Sequence, residues 1–65
     1  MRIIAYTKYG IFNGVEQEYS EEKYEAIGKF LEKLPDLSYF SFFIETGEVY
    51  MTKEMIADSL FFLEK

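Results

Sequence analysis

The sequence contains neither cysteine nor histidine, and in a chain of 65 residues that double absence constrains the fold more than any motif. A domain this short buries only about 60% of the surface its unfolded chain exposes. Such mini-proteins usually rely on disulfides, a metal, oligomerisation or an unusually apolar interior. Without thiol or imidazole the first two routes close, and zinc, haem and thiol chemistry lose their usual ligands. Apolar burial remains, and the chain is 49% hydrophobic and 20% aromatic, with seven Phe and six Tyr. That is more aromatic surface than one small domain readily hides. Aromatic residues are enriched at interfaces, so part of it is expected to be buried against another chain.

Charge and hydropathy narrow the partners. Twelve acidic against seven basic residues give a formal net charge of −5. A nucleic-acid binder needs a basic footprint for the phosphates, so direct nucleic-acid binding is not expected. Acidity keeps a small domain soluble and leaves room for a partner with a basic groove. Ile3-Ile4-Ala5-Tyr6, between Arg2 and Lys8, is too short an apolar run for a secretory signal. Nothing approaches the ~20 apolar residues of a membrane span. Together with the missing cysteine, this gives the expectation of a single cytoplasmic domain over residues 1–65, away from the membrane.

Along the chain, Arg2 to Phe12 is rich in β-branched and aromatic residues and reads as a strand. Asn13-Gly14 is a type I′ hairpin signal, which predicts that Val15 to Tyr19 returns antiparallel, with Gly10 as a bulge or close approach. Ser20 is a good N-cap, and Glu21 and Glu22 sit where the helix dipole favours negative charge. Tyr24, Ile27, Leu31 and Leu34 recur at helical spacing, widened by Phe30, and Pro35 ends the helix. Gly28 in mid-helix is expected to allow close packing on the sheet.

Leu37 to Ile44 is the most β-prone stretch, followed by a turn at Glu45-Thr46-Gly47-Glu48 and a return through Val49-Tyr50-Met51. With Thr46-Gly47 as the loop, Ile44 faces Val49, Phe42 faces Met51 and Phe43 faces Tyr50. Alternation then puts Phe40, Phe42, Ile44, Val49 and Met51 on one face, under the helix. Tyr39, Ser41, Phe43, Tyr50 and Thr52 form the other. Leu60-Phe61-Phe62-Leu63 reads either as a helix end or as a strand after a helical turn at Lys53 to Ala57; the strand is preferred. The expected fold is α+β: β-hairpin, helix, β-hairpin and short closing strand, in one antiparallel sheet with a helix packed on one face.

The run Gly47-Glu48-Val49-Tyr50-Met51-Thr52-Lys53-Glu54-Met55-Ile56-Ala57-Asp58-Ser59 resembles the ends of small phage- and prophage-encoded α+β proteins, where a glycine turn, a short strand, a Lys-Glu turn and a closing strand follow in order. The resemblance covers about a third of the chain and carries over no individual functional residue. It implies service to a virus or mobile element, by blocking a host enzyme, sequestering a signal or modifying a host complex.

Chemistry is sparse. A nucleophile–base pair would have to combine Ser or Thr with Lys or a carboxylate. Ser20, Ser38, Ser41 and Ser59 have no motif context, and no glycine-rich phosphate loop or spaced calcium loop is present. The expectation is no enzyme, no metal and no cofactor. Two surfaces stand out instead. Tyr39, Phe43 and Tyr50, extended by Tyr6 and Tyr9, form either a contact face for a second copy or a partner protein, or a second small core under the C-terminal segment. Glu16, Glu18, Glu21, Glu22 and Glu25 form either an acidic decoy for a nucleic-acid-binding groove or a solvated face with a favourable first helical turn. The function expected is a non-enzymatic, homodimeric interaction module that inhibits or modulates a host protein. The alternatives are the acidic decoy and a dimer that sequesters a small ligand among tyrosines.

Overall fold

A computed structural model describes all 65 residues. The elements run β1 (Arg2–Thr7), β2 (Gly10–Asn13), α1 (Glu21–Glu32), a 3₁₀ turn (Leu34–Asp36), β3 (Tyr39–Ile44), β4 (Gly47–Thr52), α2 (Lys53–Ala57) and β5 (Leu60–Glu64). The α+β class and the order hairpin, helix, hairpin, closing strand are as the sequence indicates. The strands, however, divide between two antiparallel sheets, β2-β1-β5 and β3-β4.

The first hairpin turns five residues earlier than the Asn13-Gly14 signal implies. Thr7 pairs with Gly10 and Ile4 with Asn13, so Lys8 and Tyr9 form the loop. The Thr7 hydroxyl accepts from the Tyr9 amide at 3.0 Å and donates to the Gly10 carbonyl at 2.9 Å. No residue other than glycine has positive φ, which excludes a type I′ turn. Gly10 at φ +137° and Gly47 at +156° instead close the two loops in conformations open to glycine. Gly10 is therefore where the turn ends, not a bulge within a strand.

Val15 to Tyr19 is not a returning strand. The Gly14 amide donates to the Ile3 carbonyl at 2.6 Å and the Gln17 amide to the Met1 carbonyl at 2.8 Å, while between them Val15 turns its amide to the Phe43 carbonyl at 2.9 Å. This bulged segment ties β1 to β3 and stitches the two sheets at a corner, a common use of bulges. A β-carbon on Gly14 would stand 2.7 Å from the Ile3 carbonyl oxygen. The glycine serves that approach.

The core lies between the sheets. Ile3, Ala5, Phe12 and Phe61 face inward from one, Phe40, Phe42 and Met51 from the other, and Leu34 and Ile56 close the ends. Phe40 stacks on Phe42 with centroids 5.6 Å apart and meets Phe61 edge-on at 5.7 Å, both favourable aromatic geometries. Helix α1 begins as the sequence indicates, the Ser20 hydroxyl accepting from the Lys23 amide at 3.1 Å. Its Tyr24, Ile27 and Leu31 are half-buried and none of its residues is fully buried. The helix reaches β5 through a 3.4 Å bond from the Tyr24 hydroxyl to the Leu63 carbonyl, and β3 through Phe30 against Phe40 at 5.7 Å. Gly28 does not mediate close packing: a β-carbon there meets nothing within 4 Å.

The C-terminal segment resolves as a helical turn and a strand. The Thr52 hydroxyl caps α2, and β5 pairs antiparallel with β1, Ile4 opposite Phe62 and Tyr6 opposite Leu60.

Candidate functional site

In the β3-β4 hairpin Ile44 pairs with Gly47, Phe42 with Val49 and Phe40 with Met51, two residues out of step with the expected register. An even shift leaves every side chain on its expected face. Phe40, Phe42 and Met51 are buried, with Ile44 and Val49 half-buried against them. The other face is bare: Tyr39 is 64% exposed, Phe43 66% and Tyr50 67%. The C-terminal segment does not cover it, because β5 is engaged with β1 on the other sheet. Glu48, opposite Phe43, stands within this face. The Tyr50 hydroxyl donates to its carboxylate at 2.9 Å. That bond, then the carboxylate's negative charge, raises the Tyr50 pKa above 10.0, since the neutral phenol is the donor. No cation stands within ion-pair distance of Glu48; the ion pairs of the protein lie elsewhere. The arrangement is an aromatic plate that carries the phenol hydroxyls of Tyr39 and Tyr50 and one carboxylate, a surface suited to contact.

Tyr6 and Tyr9 do not extend this plate. Tyr6 belongs to the outer face of the β2-β1-β5 sheet, and Tyr9 sits at the Lys8–Tyr9 loop with the Lys8 ammonium 5.5 Å from its ring centre. That sheet presents a second apolar face which the sequence reading missed. Ile11, Tyr6 and Leu60 lie side by side across β2, β1 and β5, with Ile4 and Phe62 in the next row. Ile11, Leu60 and Phe62 are each more than half exposed, while Ile4 in their midst is buried. A signal existed in the unbroken runs Ile3-Ile4-Ala5-Tyr6 and Leu60-Phe61-Phe62-Leu63, apolar on both sides of the strand, of which a two-layer fold can bury only one.

The carboxylates Glu16, Glu18, Glu21, Glu22 and Glu25 are all exposed along the corner segment and the first turns of α1. Glu16 and Glu18 do not share the face of a β-strand, since none forms there. Glu16 lies 3.4 Å from the Met1 ammonium, which also donates to the Gln17 carbonyl at 2.6 Å. No group of three carboxylates is placed to hold a metal ion. The largest cavity, about 420 Å³ at the corner between the sheets, is lined by Ile3, Gly14, Val15, Gln17, Phe42 and Phe43, with no tyrosine and no charged group. No helix is long and apolar enough to cross a membrane.

Fold and faces together define the class: a small two-layer α+β domain with an outward apolar face on each sheet. Comparison with known proteins finds no family model, curated protein or solved structure that matches the chain.

Proposed function

We propose that this chain is a non-enzymatic interaction module that docks on a larger protein through Tyr39, Phe43 and Tyr50, as an inhibitor or modulator of the host-directed kind that small phage and prophage proteins supply, acting in the cytoplasm. One observation carries this reading: three aromatic side chains, each about two-thirds exposed, stand on one face of a two-stranded sheet with nothing above them. Aromatic rings give large contact area for few rotatable bonds, and strands hold them in place before binding, which lowers the ordering penalty of association. Glu48 defines the partner further. A partner surface burying this plate must offer an apolar patch and, at its centre, an Arg, Lys or N–H donor, because an unmatched carboxylate is costly to desolvate. The phage connection rests on the resemblance of residues 47–59.

The test is capture from a bacterial extract by the parent chain and by a Tyr39→Ser, Phe43→Ser, Tyr50→Ser variant, followed by reconstitution with the purified partner. All three positions are solvent-exposed, so the variant should fold. Loss of one specific partner, and of the parent's effect on that partner's activity, is the expected result. A partner held equally by both chains refutes the assignment of the face.

A further inference from the structure

We propose that the outer face of the three-stranded sheet pairs with the same face of a second copy of this chain, leaving the Tyr39 plate free. This is independent of the partner assigned to that plate.

Charge selects the occupant. The outward residues here are Arg2, Ile4 and Tyr6 on β1, Ile11 and Asn13 on β2, and Leu60, Phe62 and Glu64 on β5. At one end Arg2 Nε stands 2.7 Å from Glu64 Oε1, and at the other Lys8 Nζ stands 4.0 Å from Asp58 Oδ2. These two bases and two acids cancel, so the strands of this face carry no net charge; Glu16 and Glu45 stand beside Arg2, Ile11 and Asn13 at its β2 edge, and the rest of the formal charge of −5 lies further off. Two acidic chains repel, and the surface through which they can meet is one whose own strands are neutral. A two-fold axis over the other plate would instead bring two copies of Glu48, which lacks a cation, onto one interface, with the like-charge penalty that juxtaposition carries.

Size sets the strength of the pair. From their exposures and the area such side chains present, Tyr6, Ile11, Leu60 and Phe62 offer on the order of 400 Å² of apolar surface per copy. Two copies then bury roughly 800 Å², below the ~1,200–2,000 Å² of a stable complex and in the range of weak, reversible pairs, so the dimer forms toward the high-concentration end of a titration. Homodimer interfaces are also the more apolar kind, and a two-fold contact needs one self-complementary patch. Pairing of sheet edges is the competing geometry. At β5 it is obstructed, because the Tyr24 hydroxyl of α1 occupies the Leu63 carbonyl with the Lys65 ammonium over the Tyr24 ring at 5.1 Å.

The experiment is light scattering of the full chain from low micromolar to millimolar concentration at two salt levels, with Leu60→Lys, Ile11→Lys and Phe43→Lys beside the parent. The parent is expected to move to twice the chain mass, with no loss at high salt. Leu60→Lys and Ile11→Lys should each weaken the dimer at least tenfold by placing like charges across the axis, and Phe43→Lys should leave it unchanged. Both interface positions are more than 60% exposed and lie on different strands, so one variant carries the test if circular dichroism shows the other unfolded. A parent that stays monomeric throughout, a dimer indifferent to both lysines, or a dimer dissociated by Phe43→Lys overturns the proposal. The triple serine variant separates the two assignments: it should lose the partner and keep the dimer.

Discussion

Replacing Gly28 with alanine should stabilise the protein. Gly28 lies inside α1, eight residues after the Ser20 cap, where glycine is less favourable than alanine by about 0.8–1.0 kcal/mol. A methyl group at this position meets no atom within 4 Å, so no steric term opposes the gain, and the backbone is ordinary helix. Part of the effect arises in the unfolded chain, whose freedom alanine reduces. A net gain of about 0.5–1 kcal/mol is expected. Unfolding entropy near 2.1 cal/mol/K per residue gives about 0.14 kcal/mol/K for this chain, so Tm should rise by roughly 4–7 °C. Thermal melts followed by far-ultraviolet circular dichroism, with urea titration to confirm an unchanged slope, provide the measurement. A fall in Tm would mean that the helix presses on the sheet at Gly28, as the sequence alone led one to expect, and that the seating of α1 on β5 and Phe40 is wrong.

Gly14→Ala should destabilise by 2 kcal/mol or more, on the order of other strained or overpacked backbone sites, because its β-carbon would sit 2.7 Å from the Ile3 carbonyl oxygen; urea denaturation reads this directly, and a neutral result would remove the corner contact. Met51→Ala removes a side chain that is 1% exposed at the centre of the core and should cost about 2–5 kcal/mol, a large share of the few kcal/mol such a domain has. Ser20→Ala should cost about 1 kcal/mol by freeing the Lys23 amide from its cap. Glu48→Gln should bring the Tyr50 titration, followed by phenolate absorbance, down toward 10.0. The sign follows from linkage: with Tyr50 raised in the folded state, its favourable contribution is complete below pH 10.0 and is lost as pH rises through the folded value. A Glu48→Gln chain titrating as the parent does would refute the hydrogen bond.

What the sequence made legible, and what it hid, follows from the range of the interaction involved. The Ser20 cap and the Tyr24–Ile27–Leu31 stripe depend on neighbours within one or two turns, and α1 starts where they place it; it ends at Glu32, before Leu34, and Pro35 falls inside the 3₁₀ turn Leu34–Asp36 instead of forming the stop itself. The faces of β3 and β4 were readable because side-chain period is two, so a register displaced by two residues still sorts Phe40, Phe42 and Met51 from Tyr39, Phe43 and Tyr50. The first hairpin was not readable from Asn13-Gly14, because Gly14 answers a long-range demand, the approach to Ile3, that leaves no local trace. The local evidence lay at Thr7 and Gly10 instead. Moving that turn also dissolves the strand on which Glu16 and Glu18 were to share a face, and it places Ile11 beside Tyr6, which creates the outer face of the β2-β1-β5 sheet.

That outer face is a consequence of thickness. The particle is only 15 Å across its thin axis, about one sheet packed on another at the usual spacing of about 10 Å. Two layers have two inward sides, and the helices close the edges of the core, so each sheet keeps one side in solvent. In β1 and β5 both sides are apolar: Ile3, Ala5 and Phe61 go inward, and Tyr6, Leu60 and Phe62 must then go out. In β3 and β4 the outward side is aromatic but carries hydroxyls and a carboxylate. The two faces therefore differ in kind. One is neutral and aliphatic-aromatic, and a copy of itself can match it. The other holds an uncompensated negative charge, which a copy of itself repels and a partner with a positive group attracts. Under the two assignments proposed above, apolar burial between copies would add to the stability of a chain without cysteine, while the face bearing Glu48 would discriminate among partners.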